Sequence, residues 1–161
     1  MPIPDTAPHP LLPFPTAQAR QIAGAFAPRQ PWGNWWDYWY TRIKLGSDPL
    51  YPGVIAALRN SRAPVLDLGC GLGLFAHALR AAGLTQPYRG LDIDAAKIGR
   101  GRTILQRTGL AGVHLEVHDL SMGWPAHSGS VTILDVLQYL DGPTQHALLN
   151  DAAGMLGDDG V

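Results

Sequence analysis

One cysteine, Cys70, in 161 residues leaves no partner for a disulfide within the chain. A disulfide-stapled secreted domain is thereby excluded, and a reducing compartment, the cytoplasm, is the expected location. Charge of one sign is also missing, since twelve Lys and Arg face thirteen Asp and Glu, for a net charge of −1. Such a chain has no overall field to hold a polyanion, so nucleic acid is not an expected partner. The local basic group Lys97, Arg100, Arg102 and Arg107 falls at helical spacings and reads as a solvated helix face. No stretch reaches the ~18 apolar residues of a membrane span. Met1 to Pro15 has no basic start followed by an apolar run, so a secretion signal is not expected either. No pair of histidines or cysteines has metal-ligand spacing, and no metal is implied.

What is present is apolar and finely punctuated: 46% of the residues are hydrophobic and 16% charged, enough for one core. Most of the fourteen prolines precede residue 65, which divides the chain. Residues 1–31 read as a proline-rich arm, with a short helix over Thr16 to Ala27. Residues 32–60 read as a helical aromatic segment, in which Trp32, Trp35, Trp36, Trp39 and Ile43 share one helical face and a second helix covers Pro52 to Leu58.

From residue 61 strands and helices alternate, the pattern of βαβ units and a mostly parallel sheet. Strands are expected at Val65–Leu68, Tyr88–Ile93, Val113–Val117 and Val131–Leu134. Helices are expected from Leu72 to Ala82, from the Asp94 cap to Thr108, and from Pro143 to Leu156. The fold class is a doubly wound α/β sheet, and the chain reads as ending where a fifth strand begins, at Val161. Strand four would then present an open edge, through which an oligomer could form.

Val65-Leu-Asp-Leu-Gly-Cys-Gly-Leu-Gly-Leu-Phe-Ala compresses a buried strand, a glycine turn and a helix start into twelve positions. Gly69, Gly71 and Gly73 permit a sharp turn and close approach of a ligand to free helix N–H groups. The same glycines satisfy the dinucleotide pattern, so a nicotinamide-dependent oxidoreductase is one reading. Asp67 argues against it, because a carboxylate there would repel a pyrophosphate but suits a ligand with an ammonium group. Asp92 closes strand two, 19 positions after Gly73, where an acid can accept hydrogen bonds from ribose hydroxyls. Asp119 follows strand three in the same way, so successive strands each deliver a carboxylate to the edge where such sheets bind ligands. Cys70 reads as a small residue packed within the turn.

Asp67-x-Gly69-x-Gly71-x-Gly73, Asp92 and Asp119-Leu120 together resemble the motif series of class I S-adenosylmethionine-dependent methyltransferases, from Val65 to Val161. The resemblance implies a Rossmann-like sheet of seven strands, of which this chain would hold four and the start of a fifth. It implies S-adenosylmethionine as cofactor and S-adenosylhomocysteine as product. Gly69 to Gly73, Cys70 included, would lie under the methionine part, Asp92 would hold the ribose, Asp119 and Leu120 would flank the adenine, Asp135 would face the reacting end, and Asp67 and Ile93 would belong to the same cofactor site. Gln138 stands where many relatives have histidine, so it is not taken as a base. No catalytic residue is assigned, and His118 is the one histidine singled out for testing.

The aromatic segment has two readings: an extra core layer of Trp35, Trp36 and Trp39 on the sheet, or a lid in which Tyr38 or Tyr40 touches the cofactor. Lys44 and Arg42 would then reach the cofactor carboxylate. Tyr40-Thr-Arg-Ile-Lys44-Leu-Gly-Ser-Asp48-Pro49-Leu-Tyr51 is similar to methyltransferases of bacterial aryl-polyene pigment synthesis, which implies a small aromatic or apolar acceptor and a place in secondary metabolism. A non-catalytic scaffold that keeps the cofactor site is the remaining alternative.

Overall fold

A computed structural model describes residues 11–161, and the first part of the expected arm lies outside the described residues. In chain order the elements are α1 (Thr16–Ala23), α2 (Trp36–Ser47), α3 (Leu50–Leu58), β1 (Val65–Leu68), α4 (Leu74–Ala81), β2 (Tyr88–Asp92), α5 (Ala95–Thr108), β3 (Val113–Val117), β4 (Ser130–Ile133) and α6 (Gly142–Ala153). The strands form one parallel sheet in the order β3-β2-β1-β4.

Because β1 is central, all four of its residues are buried, and the pleat divides them between two layers. Leu66 and Leu68 pack with Leu91, Leu148 and Met155 under α6. Val65 packs with Phe75, Leu79, Tyr88, Ile98 and Leu115 under α4 and α5. Helices thus cover both faces, as expected for a doubly wound α/β fold.

Local chemistry sets the boundaries. The Asp94 carboxylate accepts the N–H groups of Ala96 and Lys97 at the start of α5, and Gly109 ends that helix at φ 64°. Asp141 accepts the Thr144 N–H at the start of α6. This last helix stops at Ala153 rather than near Leu156. The next residues turn alongside Gly129, whose N–H donates to Met155 O (3.1 Å) and whose carbonyl accepts from Gly157 N (3.0 Å). Val161 lies at the free edge of β4, its carbonyl accepting from Val131 N at 3.0 Å, but no fifth strand forms among the described residues.

Two parts of the N-terminal region differ from expectation. Residues 11–31 are not a free arm: Phe14, Ala19, Ile22 and Phe26 are buried in the same core as α4 and α5, because their 3–4-residue spacing gives α1 an apolar face. The aromatic face of α2 is turned outward, with Trp36 70% and Ile43 64% exposed, while Thr41 and Leu45 are buried. The aromatics are therefore no extra core layer. The basic residues of α5 lie on its solvent side, Lys97, Arg100 and Arg102 exposed and Arg107 half-buried, with Arg102 donating to Leu115 O at 2.8 Å and Arg107 to the carbonyl of Ala25. No helix among the described residues is long and apolar enough to cross a membrane.

Candidate active site

The C-terminal ends of the four strands open onto a cavity of about 850 Å³. Gly69, Cys70 and Gly71 form its floor after β1, Asp92 and Ile93 its wall after β2, Asp119 and Leu120 after β3, and Asp135 and Val136 after β4. Trp36, Tyr40 and Thr41 of α2 and Tyr51 of α3 close it from above the sheet edge. Of the eleven residues expected at the site, eight line this cavity, and Gly73, Asp67 and Lys44 lie outside its lining.

Glycine at position 69 is required twice over, by its φ of 80° and because a Cβ would stand 2.2 Å from Val136 Cγ2. The loop is therefore roofed by the segment leaving β4. Gly73 lies behind the cavity wall, as the left-handed residue (φ 77°) from which α4 starts. Cys70 is buried, and burial first, with Asp67 and Asp92 nearby, pushes its thiol far above the ordinary range. It is an inert packing residue.

Asp92 ties the glycine loop to β2. One carboxylate oxygen accepts from Gly71 N and the other from Asp94 N, both at 2.8 Å. Each oxygen retains a lone pair, so the carboxylate is oriented and still free to accept from a diol. Asp119 accepts from Ser121 N at 2.9 Å. Among the described residues, neither Asp92 nor Asp119 makes an ion pair. His118 lines the cavity near them, one ring nitrogen 2.8 Å from Gly123 O.

Asp67 is placed elsewhere than expected. It is 2% exposed, faces away from the cavity, and accepts hydrogen bonds from Tyr88 and from Thr132 Oγ1 (2.9 Å). Alternation along β1 accounts for this, since residue 67 points to the layer opposite that of Leu66 and Leu68. Burial raises its pKa to about 6, against the two donors, which lower it.

Lys44 does not wait for an anionic ligand: it joins Asp135 (2.8 Å) and Asp48 (2.6 Å). Burial works against its charge, but these hydrogen bonds and charges outweigh burial and hold the ammonium above its ordinary pKa. Arg42 lies over the Trp39 ring at 5.1 Å. At the other end of α2, Asp37 accepts from Arg100 Nε of α5 at 3.1 Å. The helix is thus pinned across the cavity, from α5 to the loop after β4. Asp135 itself has φ 59°, the one non-glycine with positive φ among the described residues.

A model of the methyltransferase domain matches residues 65–160, more than half of the chain. The chain belongs to the methyltransferase-domain family. Solved structures agree on the fold. Magnesium protoporphyrin IX methyltransferase from Synechocystis PCC 6803 with bound SAH is 22% identical with a TM-score of 0.60, over 88% of this chain and 62% of that one. A glycopeptide N-methyltransferase complexed with sinefungin is 17% identical with a TM-score of 0.58, over 69% of this chain and 50% of that one. An S-adenosylmethionine-dependent methyltransferase from Clostridium acetobutylicum ATCC 824 is 18% identical with a TM-score of 0.57, over 68% and 46%. This methyltransferase domain therefore spans about half the length of the structures it matches. No curated relative matches it.

Sequence reading of this methyltransferase domain missed Thr41, Tyr51, Trp124 and Tyr139, all in the cavity wall. Trp124 follows a glycine in an irregular loop and Tyr139 lies in a single turn, so neither had a period to mark it. Thr41 and Tyr51 had a signal, their place on the inner faces of α2 and α3, which the neighbouring tryptophans obscured.

Proposed function

We propose that this domain binds S-adenosylmethionine across the strand ends and serves methyl transfer to a small aromatic or apolar acceptor. The observation that carries the reading is Asp92, fixed by two backbone N–H groups beside a glycine loop and lining a cavity large enough for a ligand of this kind. Asp92 would take the ribose hydroxyls, Ile93 and Leu120 the faces of the adenine, and Gly69 to Gly71 the chain that follows. A Cβ at Gly71 would meet nothing nearer than Lys97 at 4.0 Å, so the floor has room for close approach. The bound donor supplies a methyl group on a sulfonium, open to in-line displacement.

The protein's own contribution is alignment and exclusion of water. Trp36 and Tyr40 offer flat apolar walls beside the cavity, and Tyr139, 80% exposed, stands at its mouth. These are surfaces for an aromatic or apolar acceptor, in keeping with the resemblance to pigment-synthesis enzymes. Asp135, held by Lys44, is the group beside the acceptor that can accept a hydrogen bond from its nucleophile. A nicotinamide reading finds no support among the structural neighbours, which include enzymes solved with sinefungin and with SAH.

The test is calorimetric titration with S-adenosylhomocysteine and, separately, NADH. Saturable binding of the first alone is expected. Binding of NADH alone would overturn the proposal, and an acceptor screen beginning with phenols then distinguishes an enzyme from a scaffold.

A further inference from the structure

Large apolar side chains left together in solvent mark a surface that something else covers. One such group here is aromatic and lies in a short stretch. Four of the five tryptophans fall between positions 32 and 39, and Trp32, Trp36, Trp39, Tyr40 and Ile43 are all exposed, while α2 buries Thr41 and Leu45 instead. Nor are the rings loose. Tyr38 packs edge-to-face against both Trp35 (5.3 Å) and Trp39 (5.1 Å), the Trp35 indole N–H donates to Pro31 O at 2.9 Å, and Arg42 lies over the Trp39 ring. A surface assembled in advance loses little side-chain entropy when it docks.

Charge narrows what it docks on. Residues 11–47 hold Arg20, Arg29, Arg42 and Lys44 against one acid, Asp37, in a chain whose net charge is −1. Asp37 is committed to Arg100, and Lys44 to Asp48 and Asp135. Arg29, three positions before Trp32, and Arg42, one before Ile43, make no ion pair among the described residues. The aromatic stretch is thus flanked at both ends by guanidinium groups and contains no unpaired carboxylate. The exposed acids Asp119 and Asp141 lie beyond it, on the loops that follow β3 and β4.

Indole and phenol rings settle at a membrane–water interface, where one end of the ring meets an apolar phase and the other stays wet. Anionic headgroups add an attraction for nearby arginines. A rigid protein partner suits this surface less, because Trp36 and Tyr40 belong both to it and to the cavity wall. A folded chain seated on them would obstruct the mouth, whereas a fluid lipid surface leaves it passable.

We propose that the outer face of α2, with the turn before it, docks this domain on the surface of an anionic lipid bilayer. Trp32, Trp39 and Ile43 enter the headgroup region, and Arg29 and Arg42 meet the phosphates. The attachment is peripheral and weakens with salt, as exposed charge pairs do. The cavity mouth then opens toward lipid, the phase in which an apolar acceptor collects; that consequence alone rests on the acceptor reading above.

The experiment pellets vesicles of phosphatidylcholine, or of phosphatidylcholine and phosphatidylglycerol in equal parts, with three proteins. These are wild type, the triple variant Trp32→Gln, Trp39→Gln, Ile43→Gln, and the double variant Arg29→Gln, Arg42→Gln. None of these five side chains lines the cavity, so S-adenosylhomocysteine titration should be the same in all three, and thermal melts check folding. Wild type should pellet with the anionic vesicles, less so at high salt, and brominated lipid should quench its tryptophan emission. The triple variant should bind them roughly tenfold more weakly or worse, and the double variant should lose most of the preference for anionic over zwitterionic vesicles. Wild type that pellets with neither vesicle, or variants that both bind as wild type does, would overturn the proposal. Wild type that instead dimerises in sedimentation velocity, with the dimer lost in the triple variant, would assign the face to a second copy of the chain. S-adenosylhomocysteine binding that persists while vesicle binding fails would sink this inference alone and leave the donor reading standing.

Discussion

Replacing Asp67 by asparagine should stabilise the protein at neutral pH and leave it unchanged in acid. The carboxylate is 2% exposed with no cation beside it, and burial raises its pKa from 3.8 to about 6. An acid whose folded-state pKa is raised binds its proton more tightly in the folded form. Its contribution is therefore fully present below the unfolded value of 3.8, is lost as pH rises toward about 6, and stays lost above that. The difference corresponds to roughly 3 kcal/mol at neutral pH. Asparagine carries no charge at any of these pH values, and the hydroxyls of Tyr88 and Thr132 can turn so that one donates to its oxygen and the other accepts from its nitrogen. Urea denaturation of both proteins at about pH 4 and about pH 8 isolates the effect, since every other titrating group is common to the two. The stability of Asp67→Asn relative to wild type should rise between these conditions by most of that roughly 3 kcal/mol. A pH-independent difference would refute the reasoning and mean that the two hydroxyl donors already compensate the buried charge in full.

Tyr88→Phe removes one of those donors, so its stability cost should be larger at about pH 8 than at about pH 4, again by urea denaturation. Gly69→Ala imposes both a left-handed backbone and a 2.2 Å contact with Val136; thermal melts should show a loss of at least about 1–3 kcal/mol. Adding Val136→Ala should recover only the steric part. Trp36→Ala removes a side chain that is 70% exposed and should change stability by less than about 0.5 kcal/mol, yet raise KM for an aromatic acceptor with little change in kcat.

The sheet was legible because its signals are local. Val65-Leu-Asp-Leu is apolar enough for a central strand, Asp94 and Gly109 bracket α5, and the glycine run places the first turn. All four strand positions and their parallel direction follow from these repeated units. The boundary that slipped, the end of α6, depends on Gly129, a residue more than twenty positions away whose pairing with Met155 and Gly157 no local pattern encodes. The buried α1 was obscured by the prolines around it, although Phe14, Ala19, Ile22 and Phe26 carry the spacing of a packed face.

The site shows the same division. Asp92, Asp119 and Asp135 stand at strand ends, so reading the strands placed them in the cavity wall. Asp67 stands within a strand, and there parity decides: one residue either way reverses the face, and its face is the one that Tyr88 and Thr132 share. In α2 the period of the tryptophans marks a face but not the direction in which that face turns. Hydrophobicity alone would turn it inward. Two ion pairs, Asp37 with Arg100 and Lys44 with Asp135, fix the opposite orientation, with Thr41 and Leu45 between them on the inner side. A helix that presents a hydroxyl and an ammonium inward while Trp36 and Ile43 stay in solvent gains less apolar burial than the reverse arrangement would give it.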